Sequence, residues 1–214
     1  MKYRYSDITK QFMNNEQQLK IKKCRVGIGG AGGLGSNCAL ILARCGFENF
    51  VVADYDRVEL TNLNRQIYFP AHIGKYKVDC LKEILLTLNP EMAVQTHKVR
   101  VEMDNGAKIF GDCDIIVEAF DVPESKVMMF DSFSCSGKTL VTVSGLGGYG
   151  DSDRIQVRKI GDRIYIIGDE KSGLREDVKP FAPCVTIAAA KQADVVLSVV
   201  NGIDPLQKKN KTIG

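Results

Sequence analysis

At 214 residues, 44% hydrophobic and 26% charged, the chain has the length and composition of one soluble globular domain covering 1–214. A formal net charge of +3, from basic residues interspersed with nearly as many acidic ones, excludes a nucleic-acid-binding signature, and no apolar run approaches the roughly 20 residues of a membrane span. Seven cysteines without a Cys-x-x-Cys pair argue against a disulfide scaffold or structural zinc and indicate a cytoplasmic protein with buried thiols.

The predicted elements alternate between strands and helices. After a helical lead-in within 1–23, strands are predicted at 25–28, 50–53, 94–101, 114–117 and 139–143, helices at 34–45, 74–88, 123–133 and 183–200, and a hairpin at 155–159 and 163–167. This alternation predicts an α/β fold, a Rossmann-like, doubly wound, mostly parallel sheet with late antiparallel strands. The weakly patterned stretch 171–179 predicts a loop, and 203–214 a frayed tail.

A glycine-rich turn joins the first strand to the first long helix. Its glycines, which let backbone amides approach a phosphate, are Gly30, Gly32, Gly33 and Gly35. The helix N-terminus that follows offers unpaired N–H groups and a partial positive charge to an anion. Asp54 ends the second strand 19 residues after Gly35, where its carboxylate can accept hydrogen bonds from a ribose. The turn and this acid predict an adenine nucleotide, and both ATP and a dinucleotide remain open.

The polar loop after Asp54 favours ATP. Cleavage between the α- and β-phosphates requires cationic donors that are in place before the reaction, and Arg65 and Lys77 can supply them. Asn62 and Gln66 can orient phosphate oxygens or an attacking carboxylate. A redox Rossmann protein has no need for these side chains, although each cation alone would be an ordinary surface charge.

One acid is placed to hold a metal ion. Asp121 follows the strand 114–117, at the carboxyl edge of the sheet where ligands of such folds bind. ATP is used as its magnesium complex, and Mg²⁺ usually takes one or two carboxylates together with phosphates and water. The sequence therefore predicts a magnesium site at Asp121.

Five motifs stand in order along residues 24–150. They are Gly-x-Gly-Gly-Leu-Gly at 30–35, Asp54-x-Asp56, Asn-Leu-Asn-Arg-Gln at 62–66, Gly-x-x-Lys-Val at 74–78 and Glu-Ala-Phe-Asp at 118–121. In order and spacing they resemble the motifs of the ThiF/MoeB/ubiquitin-activating family. The resemblance is greatest to the compact ThiF-like adenylyltransferases of thiamine synthesis, which lack the zinc-binding cysteines of longer relatives, so no zinc is expected.

The resemblance implies a role for each matching residue. Phosphates are held by Gly30, Gly32, Gly33 and Gly35, the ribose by Asp54 with Asp56 in the same motif, the triphosphate by Asn62, Arg65, Gln66 and Lys77, and Mg²⁺ by Asp121. The implied reaction is attack on the α-phosphate of ATP by the terminal carboxylate of a small, ubiquitin-like, Gly-Gly-ended sulfur carrier protein (ThiS-like). The products are an acyl-adenylate and pyrophosphate. Sulfur from a donor such as a cysteine desulfurase then converts the carboxylate to a thiocarboxylate, and the enzyme is expected to be a homodimer.

The chain departs from the family pattern at three places. Val122 stands where the family usually has Asn after the metal-binding acid. The N-terminal arginine that reaches the partner subunit's ATP has no clean counterpart, since Arg4 lies far from the first strand and Lys10 is only a substitute. Cys184, at the start of the last helix, has two interpretations: a catalytic thiolate, or a packed core cysteine, which is the favoured one.

Several alternatives stay open. Glycines at 145–150 either leave room for a Gly-Gly tail or form an ordinary turn. The acceptor is either the thiamine carrier, a molybdopterin-type carrier, or the tRNA of a threonylcarbamoyladenosine dehydratase, for which the chain is shorter than expected. An NAD-dependent oxidoreductase predicts no use for Arg65 or Lys77. A non-catalytic nucleotide-binding partner is the fourth hypothesis, favoured only by the departures from the pattern.

Overall fold

The computed structural model describes residues 5–169 and 179–206. The helices are α1 Tyr5–Thr9, α2 Asn15–Lys23, α3 Gly33–Arg44, α4 Lys77–Leu88, α5 Gly106–Phe110, α6 Pro123–Phe133 and α7 Ala182–Val200. The strands are β1 Arg25–Gly29, β2 Asn49–Ala53, β3 Ala93–His97, β4 Ile115–Glu118, β5 Thr139–Val143, β6 Gln156–Ile160 and β7 Ile164–Gly168.

The strands form one seven-stranded sheet in the order β3-β2-β1-β4-β5-β7-β6. Every neighbouring pair is parallel except β6 and β7, which form the antiparallel hairpin expected late in the chain. This confirms the predicted fold class. The strand order reverses between β1 and β4, because the chain adds strands on one side of β1 and then returns to its other side. Ligands of open α/β sheets bind at such a reversal.

Alternation along the buried strands assigns their side chains to two layers. In β4, Ile115 and Val117 belong to the larger core cluster, which contains side chains of α3, α4 and α7. Ile116 belongs to the second cluster, which contains side chains of α5 and α6. Because successive side chains of a strand point to opposite faces, Glu118 faces the α6 layer, as does Thr142 of β5. Helices therefore cover both faces of the sheet.

The last helix, α7, is the longest. It has 19 residues and is long and apolar enough to cross a membrane by length and composition, contrary to the expectation that no run reaches that length. A single such helix is weak evidence for a membrane span, because the core helix of a globular domain can be equally long and apolar. Its buried side chains, which join the core cluster that also contains α3, include Cys184, Ala188, Ala189 and Val195.

The predicted boundaries differ from the observed ones where local pattern is weakest. The strand expected at 94–101 ends at His97, and the five-residue helices α1 and α5 were not expected, because one turn carries too little periodicity to be recognised. The predicted lead-in helix is α2, capped by a reciprocal pair of hydrogen bonds between Asn14 and Gln17. Most of the predicted loop 171–179 and of the predicted tail 203–214 lies outside the described residues.

Candidate active site

A cavity of about 570 Å³ opens at the carboxyl ends of β1, β2, β4 and β5. Cavities of this size hold small-molecule ligands. The residues predicted from sequence that line it are Gly30, Gly32, Gly33, Asp54, Asp56, Asn62, Arg65, Gln66, Lys77 and Asp121. The fold thus gathers, at the reversal of strand order, side chains that lie up to 91 positions apart (from 30 to 121) in the sequence.

The glycine turn brings β1, α3 and β4 into close contact. Gly30 has a φ of +95°, and a Cβ there would lie 2.8 Å from the carbonyl oxygen of Ala119. Gly35 differs from the other glycines, because it is absent from the described cavity lining. A Cβ at Gly35 would lie 1.8 Å from the carbonyl oxygen of Gly30. The structure therefore shows a packing reason for glycine at position 35, between helix and turn, and the phosphate contact of Gly35 stays a prediction.

The N-terminal end of α3 is uncapped and lies at the cavity. Its N-cap residue, Gly32, makes no side-chain capping hydrogen bond. The first N–H groups of a helix have no partner within the helix, so they are available to an anion such as a phosphate. The turn itself is held by Asp54, whose Oδ2 accepts a hydrogen bond from the backbone N–H of Ala31 at 2.6 Å.

Asp54 is a fixed and mostly buried carboxylate. Besides Ala31, it accepts a hydrogen bond at Oδ1 from the backbone N–H of Asp56 at 2.7 Å. Burial raises the pKa of Asp54, against the opposing effects of Lys77 and of the two backbone N–H donors. The rigid placement suits the predicted hydrogen bonds to a ribose, because each oxygen keeps a second acceptor position.

Lys77 and Asp56 form an ion pair beside the glycine turn. Lys77 Nζ lies 2.6 Å from Asp56 Oδ2, and the backbone N–H of Lys77 donates to the carbonyl oxygen of Asp56 at 2.9 Å. This second bond fixes the first turn of α4 against the end of β2. Asn62 is fixed as well, since its Oδ1 accepts the backbone N–H of Glu59 at 3.1 Å.

Arg65 and Gln66 lie opposite the tip of α3. The Arg65 guanidinium donates to the carbonyl oxygen of Thr61 at 3.0 Å and to Asn64 Oδ1 at 2.8 Å. Both bonds use Nη1, which leaves the other guanidinium donors available to a ligand. Gln66 Oε1 is buried and has no hydrogen-bond partner among the described residues. A buried polar atom on the wall of a cavity marks a place where a polar ligand group fits.

Asp121 and Val122 lie on the β4 side of the cavity, just before α6. Within the described residues, no three His, Cys, Asp or Glu side chains lie close enough together to hold a metal ion. A divalent ion here would therefore take Asp121 plus phosphate oxygens and water, which is the mode typical of Mg²⁺. Val122 is the N-cap of α6 and makes no side-chain capping bond, whereas the Asn of the family pattern has a side chain suited to capping.

One ion pair at the cavity was not singled out from the sequence. Glu118, which ends β4, is fully buried, and Lys126 Nζ lies 3.0 and 3.1 Å from its two carboxylate oxygens. The same carboxylate accepts the backbone N–H of Phe120 at 2.7 Å and the hydroxyl of Thr142. Lys126 also lines the cavity. In the sequence, the acid at the end of an apolar strand could have indicated this ion pair, since a buried charge requires a partner nearby.

The remaining candidates fall outside or at the margin of the cavity. Cys184 is buried in the core cluster, which agrees with the favoured interpretation of a packed cysteine. Lys10 lies 3.3 Å from Asp7 on the surface, and Arg4 lies outside the described residues. Gly145 does line the cavity and has a φ of +73°. Glycine at this position therefore both allows a tight turn and leaves the cavity wall free of a side chain.

A family model described as the ThiF family matches residues 5–213. The chain belongs to the ThiF family. A ThiF-family relative from Candida glabrata, named adenylyltransferase and sulfurtransferase UBA4, is 31% identical over 192 residues, which are 87% of this chain and 44% of that protein. A second relative, from Scheffersomyces stipitis, bears the same name and is 33% identical with 91% and 45% coverage. The chain therefore spans less than half the length of these two curated relatives.

A solved structure with the same fold is the Escherichia coli tRNA N6-threonylcarbamoyladenosine dehydratase TcdA in complex with ATP. Its TM-score is 0.84 at 20% identity, and the match covers 93% of this chain and 94% of that one. At this identity the likeness establishes the fold alone. For this ThiF-family chain it confirms the Rossmann-like architecture on which the cavity depends.

Proposed function

We propose that this ThiF-family chain uses ATP to adenylate the C-terminal carboxylate of a small protein that ends in Gly-Gly. The observation that carries the proposal is the convergence of Arg65, Lys77 and Asp121 in one cavity at the tip of α3. A triphosphate has the charge and the oxygen atoms that such a set of groups binds.

The proposed reaction is a displacement at the α-phosphate. A carboxylate oxygen of the acceptor forms a bond to the α-phosphorus, the bond from that phosphorus to the bridging oxygen of the β-phosphate breaks, and pyrophosphate leaves with the electron pair. Charge builds up on the phosphoryl oxygens and on the leaving group, and donors that are already oriented stabilise it. Lys77 is such a donor, because Asp56 and the start of α4 hold it in place.

Mg²⁺ belongs to the proposal as the ion that accompanies the triphosphate. Asp121 would hold it, and the ion would neutralise phosphate charge. Asp121 lines the cavity without an ion-pair partner among the described residues, so its carboxylate is free to take a metal ligand position.

The cavity favours ATP over a nicotinamide dinucleotide. Hydride transfer needs no cation at the phosphate end, yet Lys77 is held in the cavity wall by an ion pair and Arg65 lies against the glycine turn, its Cγ 3.4 Å from the position of a Cβ on Gly33. The buried Lys77 ammonium has Asp56 as its counter-charge, so a positive group is kept at the cavity wall. The UBA4 relatives are named adenylyltransferases, which supports the same choice.

Sulfur-carrier chemistry is the best supported purpose of the adenylation, because the UBA4 relatives are also named sulfurtransferases. Within it, thiamine synthesis and molybdopterin-type carriers both remain candidate pathways. The tRNA dehydratase class, for which the chain is expected to be short, stays an alternative, and the match in fold covers 94% of the TcdA chain. A homodimer and a cysteine-desulfurase-type sulfur donor complete the proposal, and light scattering on the purified protein tests the first of these.

ATP–pyrophosphate exchange tests the proposed function. The full chain is incubated with labelled pyrophosphate, ATP and Mg²⁺, with and without each of a panel of Gly-Gly-ended carrier proteins. We expect exchange that depends on one carrier and is lost when its terminal carboxylate is converted to an amide. Asp121→Ala is expected to abolish exchange with the fold intact, whereas exchange by no carrier, or full exchange by the variant, contradicts the proposal or the metal assignment.

A further inference from the structure

Lys126 is a second lysine on the wall of the cavity. It stands in the first turn of α6, next to Ser125, which also lines the cavity. Lys77 belongs to α4 and pairs with an acid that follows β2, whereas Lys126 pairs with an acid at the end of β4. Because β1 separates β2 from β4 in the sheet and the glycine turn follows β1, the two ion pairs lie on opposite sides of that turn.

Glu118 holds Lys126 in place, yet the positive charge of Lys126 still acts on the cavity. The buried carboxylate shares its charge among Lys126, the hydroxyl of Thr142 and the backbone N–H of Phe120. Lys126 has three N–H donors, of which at most two point to the Glu118 oxygens. The lysine side chain is 25% exposed, while the Glu118 side chain is 0% exposed. The positive end of the pair therefore faces the cavity, with one donor to spare.

We propose that Lys126, oriented by Glu118, binds the carboxylate of the acceptor protein and directs it at the α-phosphate. This inference rests on the proposed function. In a phosphoryl displacement the attacking and leaving oxygens lie roughly in line on opposite sides of the phosphorus. Arg65 and Lys77 stand on the α3–α4 side, where they hold the leaving pyrophosphate, so the attacking anion approaches from the β4–β5 side.

The geometry of that side suits an extended chain end. Gly145 and Leu146, which follow β5, line the same cavity as Ser125 and Lys126 of α6. Gly145 presents no side chain, so the cavity wall at this point leaves room for the backbone of a chain end. Lys126 is thus a binding residue for the acceptor, and Glu118 is a positioning residue that acts through it.

A binding experiment separates this role from simple neutralisation of Glu118. The full chain is saturated with a non-hydrolysable ATP analogue and Mg²⁺, and titrated with a synthetic decapeptide ending in Gly-Gly, either as the free acid or as the C-terminal amide. The test variant is the double substitution Lys126→Met with Glu118→Gln, which removes both charges and leaves no unpaired buried ion. Lys138→Met is the control, because Lys138 also makes one interior hydrogen bond, to the carbonyl oxygen of Cys113 at 2.7 Å.

We expect the wild-type chain and the Lys138→Met control to bind the acid about tenfold more tightly than the amide, since a hydrogen bond to a charged group is worth about that factor. The double variant is expected to bind both peptides equally and to bind the ATP analogue as the wild type does. Lys126→Arg is expected to keep part of the preference.

Two results overturn the inference: no acid preference in the wild-type chain, or an undiminished preference in the double variant. Neither depends on turnover. If the wild-type chain prefers the acid peptide and yet catalyses no ATP–pyrophosphate exchange with any carrier, the proposed function fails while the carboxylate site stands.

Discussion

Two lysine–carboxylate pairs flank the glycine turn, and they are built in opposite ways. In the pair on the β2 side, the Lys77 side chain is 8% exposed and the Asp56 side chain 46% exposed. In the pair on the β4 side the acid is the buried partner, since Glu118 is 0% and Lys126 25% exposed. The N–O distances are 2.6 Å and 3.0 Å. Each pair thus has one anchored member and one member that reaches solvent.

The difference assigns different tasks to the two lysines. Lys77 is held by burial and by the backbone of α4, so its ammonium group has a fixed position even when Asp56 turns toward water or a metal ion. Lys126 is held only by Glu118, so its position depends on a carboxylate that cannot be solvated. Removal of Lys77 should therefore lower mainly the catalytic rate, whereas removal of Lys126 should lower mainly the unfolding free energy.

The largest effect is expected on stability, from Lys126→Met. This change leaves the Glu118 carboxylate buried without its counter-charge, and breaking a buried pair in this way costs about 3–5 kcal/mol of unfolding free energy. Lys77→Met leaves the half-exposed Asp56 in contact with water, which costs less than about 1 kcal/mol. Urea denaturation of both variants measures the two losses. Adding Glu118→Gln to Lys126→Met should restore most of the stability, and equal losses in the two single variants would contradict the comparison.

The next largest effect is expected on catalysis, from Lys77→Met. Removal of one oriented donor from a site of charge stabilisation lowers the rate on the order of 10²–10³-fold. Methionine fills the space of the lysine stem, so the cavity wall keeps its shape. Initial rates of carrier-dependent ATP–pyrophosphate exchange measure the loss, with the urea midpoint of the same sample as the control. A rate within threefold of the wild type would mean that Lys77 does not contact the triphosphate.

A smaller effect, on helix α6, concerns the segment that carries Lys126. Val122 occupies the N-cap with φ −86° and ψ 124°, a conformation in which an Asn side chain can accept a backbone N–H of the first turn. Val122→Asn is therefore expected to raise the unfolding free energy by about 1 kcal/mol. Thermal denaturation tests this, with Val122→Ala as the matched variant that cannot cap. An unchanged or lower midpoint for the Asn variant would show that the first turn of α6 is satisfied without a cap.

The two pairs also differ in how far they are predictable from the sequence. Lys77 is predicted because it follows a glycine turn and a strand-end acid in a known order, and each of these motifs has a local signature. Lys126 escapes prediction because its role depends on Glu118 and Thr142, which are neighbours only through the pairing of β4 with β5. The fold class follows from the alternation of elements, which is a sequence property. Which lysine faces which acid is a property of the assembled sheet.

Gly35 illustrates a second role that the sequence motif does not reveal. Its place in the glycine motif predicts a phosphate contact, because the motif suggests the same role for all of its glycines. In the fold, helix α3 packs so closely on Gly30 that the missing Cβ of Gly35 is required for packing alone.

The smallest expected effect is a shift in the pKa of Asp54, which reports on the positive charge of Lys77. Burial raises the pKa of Asp54 above its ordinary value of 3.8, and the nearby positive charge of Lys77 opposes that rise. With the folded pKa above the unfolded one, the folded state holds the extra proton in the window just above pH 3.8, so the contribution of Asp54 to stability falls as the pH rises through that window. Carbon-detected NMR of the Asp54 carboxyl group measures this pKa directly. Lys77→Met should raise it further, whereas the double variant at Lys126 and Glu118 should leave it unchanged, because that pair lies on the other side of β1. A pKa at or below 3.8 in the wild type would contradict the dominant effect of burial on Asp54. An equal shift in both variants would mean that the two pairs act on the cavity as one charge cluster rather than as two separate sites.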